Sequence, residues 1–299
     1  MAELPWFSRA FGCWYRIRGR DGMKRFFLVI LILALPYQLS AYGQEINANG
    51  DNNSEPDRSI ESSAATPGEP ALTKDASDIL TRMTDFIAAA QAFSLVSDTG
   101  HEVTQKNGHV LEFGSHLAVT IQRPSQALGR FDSRNGDVSI TVLDGKTLSV
   151  YVATEGIRAY DATRQPGDID SSLEFLANLM TVPRQLRDFF SKDLTASLSS
   201  AVKSGYYVGE SKISGVMCDH LALRGDKEDV QVWIARGDEP VPRRIVITYR
   251  ELEGQPQFWV RFVEWDFSPD LSDTTFTFSP PEGAQRVHFF ADPPGDESN

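Results

Sequence analysis

The chain has 299 residues, of which 29 are Lys or Arg and 41 Asp or Glu, for a formal charge of −12 at pH 7. Beyond residue 43 no basic stripe interrupts that balance, which argues against a nucleic-acid or anionic-membrane footprint. The two cysteines, Cys13 and Cys218, fall on opposite sides of an export signal, so the exported chain can form no internal disulfide and must stand on its hydrophobic core.

The signal comes first. Lys24 and Arg25 supply a positive start, and residues 26–35 are an unbroken apolar run too short to span a bilayer. Pro36 ends the run, and Ala41-Tyr42-Gly43 puts small residues where a signal peptidase reads, predicting cleavage after Gly43. Residues 1–22, with Trp6, Trp14 and Tyr15, read as an upstream extension, with translation starting at Met23. The competing reading is an uncleaved anchor helix. The signal (residues 23–43) and that extension carry six basic and two acidic residues, so their removal takes the charge from −12 to −16. A periplasmic protein is expected, without lipoprotein anchoring, because no cysteine follows the cleavage point.

Residues 44–70 are rich in Asn, Ser, Glu, Gly and Pro and hold too few large apolar groups to offset the entropy of ordering, so a disordered leader is predicted. Residues 291–299 read the same way. The domain between them, residues 71–290, is long enough to bury roughly 70% of its surface.

It opens with a predicted helix, in which Ile79, Met83, Phe86, Ala90 and Phe93 share one face. From about Leu95 the period changes to two. Leu111, Phe113, Leu117, Val119 and Ile121 alternate with more polar residues and predict a half-buried strand of at least ten residues. Asn107-Gly108 and Asp144-Gly145 are hairpin signals, so residues 95–160 are expected to form an antiparallel meander of four or five strands.

A helical insert follows. Ser171-Ser172-Leu173-Glu174 matches a capping box, and Leu173, Leu176, Ala177 and Met180 repeat at helical spacing. Asp168 and Asp170 also read as cap chemistry. Pro183 restarts the chain before Leu186, Phe189 and Phe190, and a short amphipathic segment holds Leu194, Leu198 and Ala201. Strands then return at 206–213, 217–224, 229–235, 243–250 and 257–267, joined by short turns such as Ser214-Gly215 and Glu253-Gly254. The expectation is an α+β fold: a curved, open antiparallel sheet with helices on its concave face.

Catalytic chemistry is sparse. Cys218-Asp219-His220 is the one triplet with suitable residue types, but in a strand Cys218 and His220 lie roughly 6.6 Å apart, poor for thiolate activation. A core cysteine beside a half-buried histidine is the simpler reading. His109 and His116 are out of phase for a shared metal, and His101 and His288 add no site. No elbow, Walker loop, dinucleotide turn or zinc helix occurs, so neither an enzyme nor a cofactor is expected. The aromatic residues Phe258, Trp259, Phe262, Trp265 and Phe267 put large rings on both faces of one strand, and Trp233 stands opposite Val230, Val232 and Ile234. Either the rings are ordinary packing on two faces, or one face lines an apolar cavity.

Several runs carry a resemblance: Gly205-Tyr-Tyr-Val-Gly-Glu, Cys218-Asp-His-Leu-Ala-Leu-Arg, Val230-Gln-Val-Trp-Ile-Ala-Arg and its continuation to Tyr249, Phe276-Thr-Phe-Ser-Pro-Pro, and Leu143-Asp-Gly-Lys. Together, over residues 72–290, they resemble a bacterial family of predicted periplasmic proteins that is itself similar to the LolA/LolB lipoprotein carriers. That resemblance implies an unclosed half-barrel with helices lidding a hydrophobic cavity. It also implies a role in carrying, receiving or sensing envelope lipoproteins, the last as RseB does. No functional residue of those carriers is matched here.

Three functions compete at this level. The first is a binding protein for acyl chains, lipids or lipoproteins, its cavity lined by Met83, Phe86, Phe113, Leu117, Val119, Ile121, Phe258, Val260 and Phe262. The second is an envelope sensor that docks a protein partner on the opposite sheet face. The third, a hydrolase using Cys218 and His220, has the least behind it.

Overall fold

Apolar alternation along the chain resolves into one twelve-stranded sheet, described here from a computed structural model over residues 71–179 and 194–288. A helix, α1 (Lys74–Ala89), precedes six strands: β1 (Ala92–Thr104), β2 (Val110–Gln122), β3 (Gln126–Ser133), β4 (Val138–Asp144), β5 (Thr147–Thr154) and β6 (Ile157–Arg164). Helices α2 (Ile169–Leu179) and α3 (Leu194–Ala201) follow. The second run comprises β7 (Ser204–Ile213), β8 (Val216–Arg224), β9 (Glu228–Ala235), β10 (Pro242–Tyr249) and β11 (Gln257–Asp266), with β12 (Gln285–Arg286) near the end.

Each run is an antiparallel meander, and the two are joined in mid-sheet where β11 pairs with β1. The order is β12-β6-β5-β4-β3-β2-β1-β11-β10-β9-β8-β7, so among the described residues the sheet is open, with β7 and β12 at its edges. Among the described residues only the β12–β6 pair is parallel. The chain leaves β6 near one edge and re-enters at β7 on the other, with α2 and α3 in between.

One face of the sheet is the core face. Cross-strand pairing aligns Phe93, Leu95 and Ser97 of β1 with Ile121, Val119 and Leu117 of β2. On the other flank Ser97, Thr99 and His101 face Phe262, Val260 and Phe258 of β11. Ile247, Val232, Ile234, Leu221 and Leu223 continue the face across β10, β9 and β8, and Leu143, Leu148, Val150 and Val152 across β4 and β5. All of these apolar side chains are buried, each worth about 1.5–3 kcal/mol relative to exposure.

The helix contributes Ala76, Ile79, Leu80, Met83 and Ile87 to the same hydrophobic cluster. This corrects the predicted helical face. The chain leaves the helix at Ala90, and Phe93 is a fully buried strand residue. Phe86 flanks the buried stripe and packs edge-on against Phe267, ring centroids 4.8 Å apart.

Six strands precede the helical insert rather than four or five. Gly129 and the mixed residues of β3 blur its alternation, and pairing with β2 and β4 supplies what its sequence pattern lacks. The cap of α2 is Asp168, whose Oδ1 accepts from the Ser171 backbone N–H at 3.0 Å, so Ser171-Glu174 is not the capping box. Met180, Pro183, Leu186, Phe189 and Phe190, the export signal, the leader and the tail lie outside the described residues. The late strands match the predicted spans to within two residues.

Three register shifts break strict alternation. Val96 pairs with Glu264 and Ser97 with Phe262, leaving Val263 unpaired and bringing Trp265 to the same face as Phe262. Trp265 therefore packs on Phe262 and Phe93, at centroid distances of 5.3 and 5.9 Å. Comparable shifts fall between Tyr207 and Gly209 and between Pro242 and Arg244.

Candidate functional site

The core face does not end where burial ends. The β1–β2 hairpin keeps continuous register out to Thr104↔Val110, so Leu111 and Phe113 share a face with Leu117, Val119 and Ile121. Yet Leu111 is 45% and Phe113 48% exposed, whereas Ile121 is 1%. The core face thus runs from a packed apolar end, across the buried Ser115–Thr99 hydroxyl pair, to an apolar end in solvent. His101 stands directly opposite Phe113 and stacks on it, centroids 5.6 Å apart. Burial pushes the His101 imidazole below its ordinary value.

Of the predicted lining residues, Leu117, Val119, Ile121, Met83, Phe258, Val260 and Phe262 are buried in one cluster, and Phe86 packs against it. Phe113 shares the face of Leu117, Val119 and Ile121 by register but is not part of that buried set.

A second feature was not foreseen from sequence: a polar cleft of about 330 Å³ between α1 and the β7–β8 hairpin, lined by Asp75, Asp78, Ile79, Arg82, Tyr207, Asp219 and Arg236. Its floor is the buried Asp219. Arg82 Nη2 lies 3.6 Å from Oδ2, Arg236 Nε lies 3.4 Å from Oδ1, and the Tyr207 hydroxyl donates to Oδ1 at 3.4 Å. Arg236 also pairs with Glu210. One signal in the sequence pointed here. The two-residue Ser214-Gly215 turn sets Glu210 opposite Asp219, and two carboxylates side by side demand cations.

The opposite, outer face carries its own row. His220, Trp233, Arg244, Arg261, Asp98, His116 and Asp132 are directly paired neighbours from β8 to β3. His220 stacks on Trp233 at 4.2 Å, and the Arg244 guanidinium covers the same indole at 5.8 Å. Arg261 Nη2 donates to Asp98 Oδ2 at 2.5 Å, which holds the Asp98 carboxyl below its usual range. Nearby, Glu112 accepts from Trp259 Nε1 at 3.2 Å and from Arg134 Nη1 at 3.2 Å. The outer aromatic rings thus lie flat and partnered.

Cys218 is fully buried, its thiol donating to the Val216 carbonyl at 3.4 Å, and burial pushes its pKa up. A raised thiol pKa is the opposite of nucleophile activation. His220 hydrogen-bonds Gln231 at 3.1 Å, on the same face but engaged elsewhere. Among the described residues, no group of three or more His, Cys, Asp or Glu is placed to hold a metal ion, and no helix is long and apolar enough to cross a membrane.

Burial lowers the His220 and His101 pKa values below the ordinary 6.5. The unfolded chain therefore binds more protons than the folded one as pH falls through 6.5, and stability must fall with it. Asp98 adds no slope there, because its stabilisation is present above 3.8 and is lost only at lower pH. Thermal unfolding between pH 7.5 and 5 is expected to show a falling midpoint, flattened in a His101→Gln/His220→Gln variant. An equally steep fall in that variant would assign the effect to other groups.

The family described as "Predicted periplasmic protein (DUF2092)" matches residues 76–290, and the chain belongs to it. No curated protein matches the sequence. Among solved structures the chain is similar to LprF from Mycobacterium bovis, at 14% identity and a TM-score of 0.43, covering 68% of this chain and 99% of that one. It is similar to the Mycobacterium tuberculosis lipoprotein LppX at 12% identity and 0.39, covering 67% and 100%. It is also similar to the LolA superfamily protein NE2245 from Nitrosomonas europaea at 12% identity and a TM-score of 0.32, covering 68% and 97%.

Proposed function

We propose that the protein is an exported periplasmic binding protein that takes an acyl chain, a lipid or the acylated end of a lipoprotein against its core face. In this reading the open sheet is a LolA-like half-barrel whose concave face is covered by its helices. The observation that carries the proposal is the core face of β2, which continues without a register break from buried Ile121, Val119 and Leu117, past the buried and hydrogen-bonded Ser115–Thr99 hydroxyl pair, to exposed Phe113 and Leu111. A face of that kind gives an acyl chain apolar surface to cover at its outer end and a packed wall at its inner end. Membership of a family described as periplasmic supports the compartment.

The test is native mass spectrometry and lipid extraction of protein recovered from the periplasm. A co-purifying acyl species is expected, and Phe113→Asp should release it while leaving the fold intact, because that side chain is already half exposed. Protein that is reproducibly empty and has no fatty-acyl affinity would end the proposal. The sensor reading predicts instead a specific crosslinked envelope protein that is insensitive to Phe113→Asp.

A further inference from the structure

The two edges of the sheet are treated differently. At one end Gln285 and Arg286 add a parallel strand to β6, and the Val287 N–H donates to the Tyr160 carbonyl at 2.9 Å. At the other end the described residues meet β7 only at its start, by the Ala71↔Ser204 bridge and the bond from the Thr73 N–H to the Gly205 carbonyl. Beyond Gly205, no described residue pairs with the outer side of β7. Tyr206 and Val208 on this strand are 53% and 48% exposed. An unprotected edge with apolar side chains is a template for another strand.

We propose that β7 is the seam of a two-fold dimer, pairing antiparallel with β7 of a second copy about Ser211. Backbone geometry and charge both select this register. Ser214 and Gly215 have positive φ, 47° and 85°, as a two-residue type I′ turn requires, so Ile213↔Val216 is the closing hydrogen-bonded pair. Alternation then directs the N–H and C=O of Lys212 and Glu210 away from β8. The Met217 carbonyl, opposite Lys212, indeed accepts from the Arg236 N–H on the β9 side at 3.0 Å.

In a pair centred on Ser211, Glu210 of each copy exchanges both backbone hydrogen bonds with Lys212 of the other, four bonds in all. Their opposite charges then stand face to face. Centring one residue either way would set Glu210 against Glu210 or Lys212 against Lys212, which is destabilising. A second copy fits this edge because the strand is complementary to itself in one register. The inference is independent of what the core face binds.

Sedimentation analysis of protein purified from the periplasm is expected to show a concentration-dependent dimer. The Glu210 and Lys212 amides should gain hydrogen-exchange protection as it forms. Lys212→Glu should raise the dissociation constant by about tenfold or more, since both ion pairs become repulsions. The exchanged variant Glu210→Lys/Lys212→Glu should restore the dimer. Lys212→Pro should abolish it while sparing the β7–β8 ladder, because that N–H points outward. Circular dichroism confirms that each variant is folded. A monomer at every concentration, a dimer with those two amides unprotected, Lys212→Glu behaving as wild type, or a folded exchanged variant that stays monomeric would each overturn the proposal.

Discussion

Phe93→Ala is expected to cost about 3–5 kcal/mol of stability, and Phe113→Ala far less, although the sequence reads each of them as an apolar core-face residue, Phe93 at helical spacing and Phe113 at period two. Phe93 is fully buried, paired across the strand with Ile121 and packed against the stacked rings of Trp265 and Phe267 at 5.9 and 6.1 Å. Truncation leaves a cavity that three large neighbours cannot close. Phe113 is 48% exposed and stacks on a single imidazole, so its loss removes little buried area. Urea unfolding of the two variants side by side checks the difference. Equal costs would mean that the core extends to the hairpin tip. The same Phe113→Ala variant, unfolded with and without added lipid, reports whether the tip is a ligand contact, since a lipid that binds wild type through this ring should stabilise the variant less.

Gly100→Ala is the second large effect, an overpacking loss of about 1–3 kcal/mol or more. Gly100 pairs with Gly114 in mid-sheet, and a Cβ on Gly100 would sit 2.4 Å from the Trp259 ring. The ring cannot simply swing aside, because its Nε1 is tied to Glu112. The Arg134 guanidinium covers Gly114 in the same way, 2.4 Å from where a Cβ would lie. The glycine pair makes room for side chains of the flanking segments to lie across the outer face. In the Trp259→Ala background the same Gly100→Ala change should be nearly neutral, and a double-mutant cycle measures the coupling. Additive losses would show that the glycine is required for some other reason.

Much of the fold was legible because local chemistry and tertiary structure agree. The turns at Asn107-Gly108, Asp144-Gly145 and Ser214-Gly215 place positive-φ residues where tight reversals need them, and each joins two adjacent strands of the sheet. Period-two alternation assigned Val230, Val232 and Ile234 to one face and Trp233 to the other, as the pairing has them. Where strands lose their pattern the reading failed. β3 has no clean alternation, and the expected count of four or five strands before the helical insert fell short of six. Phe93 sits at helical spacing from Ala90 and was taken for helix, since a single residue past a helix end belongs equally well to either period.

The candidate site was less legible, for a related reason. Periodicity says which residues share a face but not how far along that face the cover extends, so Phe113 and Ile121 read alike and differ by nearly half of the side chain's exposure. The bulge that turns Trp265 onto the core face depends on one extra residue opposite β1, which no spacing within β11 reveals. The polar cleft joins α1 residues to Asp219 and Arg236 across more than a hundred residues of chain.

By itself, the amino-acid sequence determined the acidic balance and most of the strands with their turns. These depend on composition and on neighbours within a few residues. The tertiary structure alone decided three things: the joining of two meanders through β1 and β11, the buried limit of the core face, and the edge that the described residues leave open at β7. Each of these is set by which distant strands meet, and strand pairing is a contact between segments whose separation along the chain leaves no local trace.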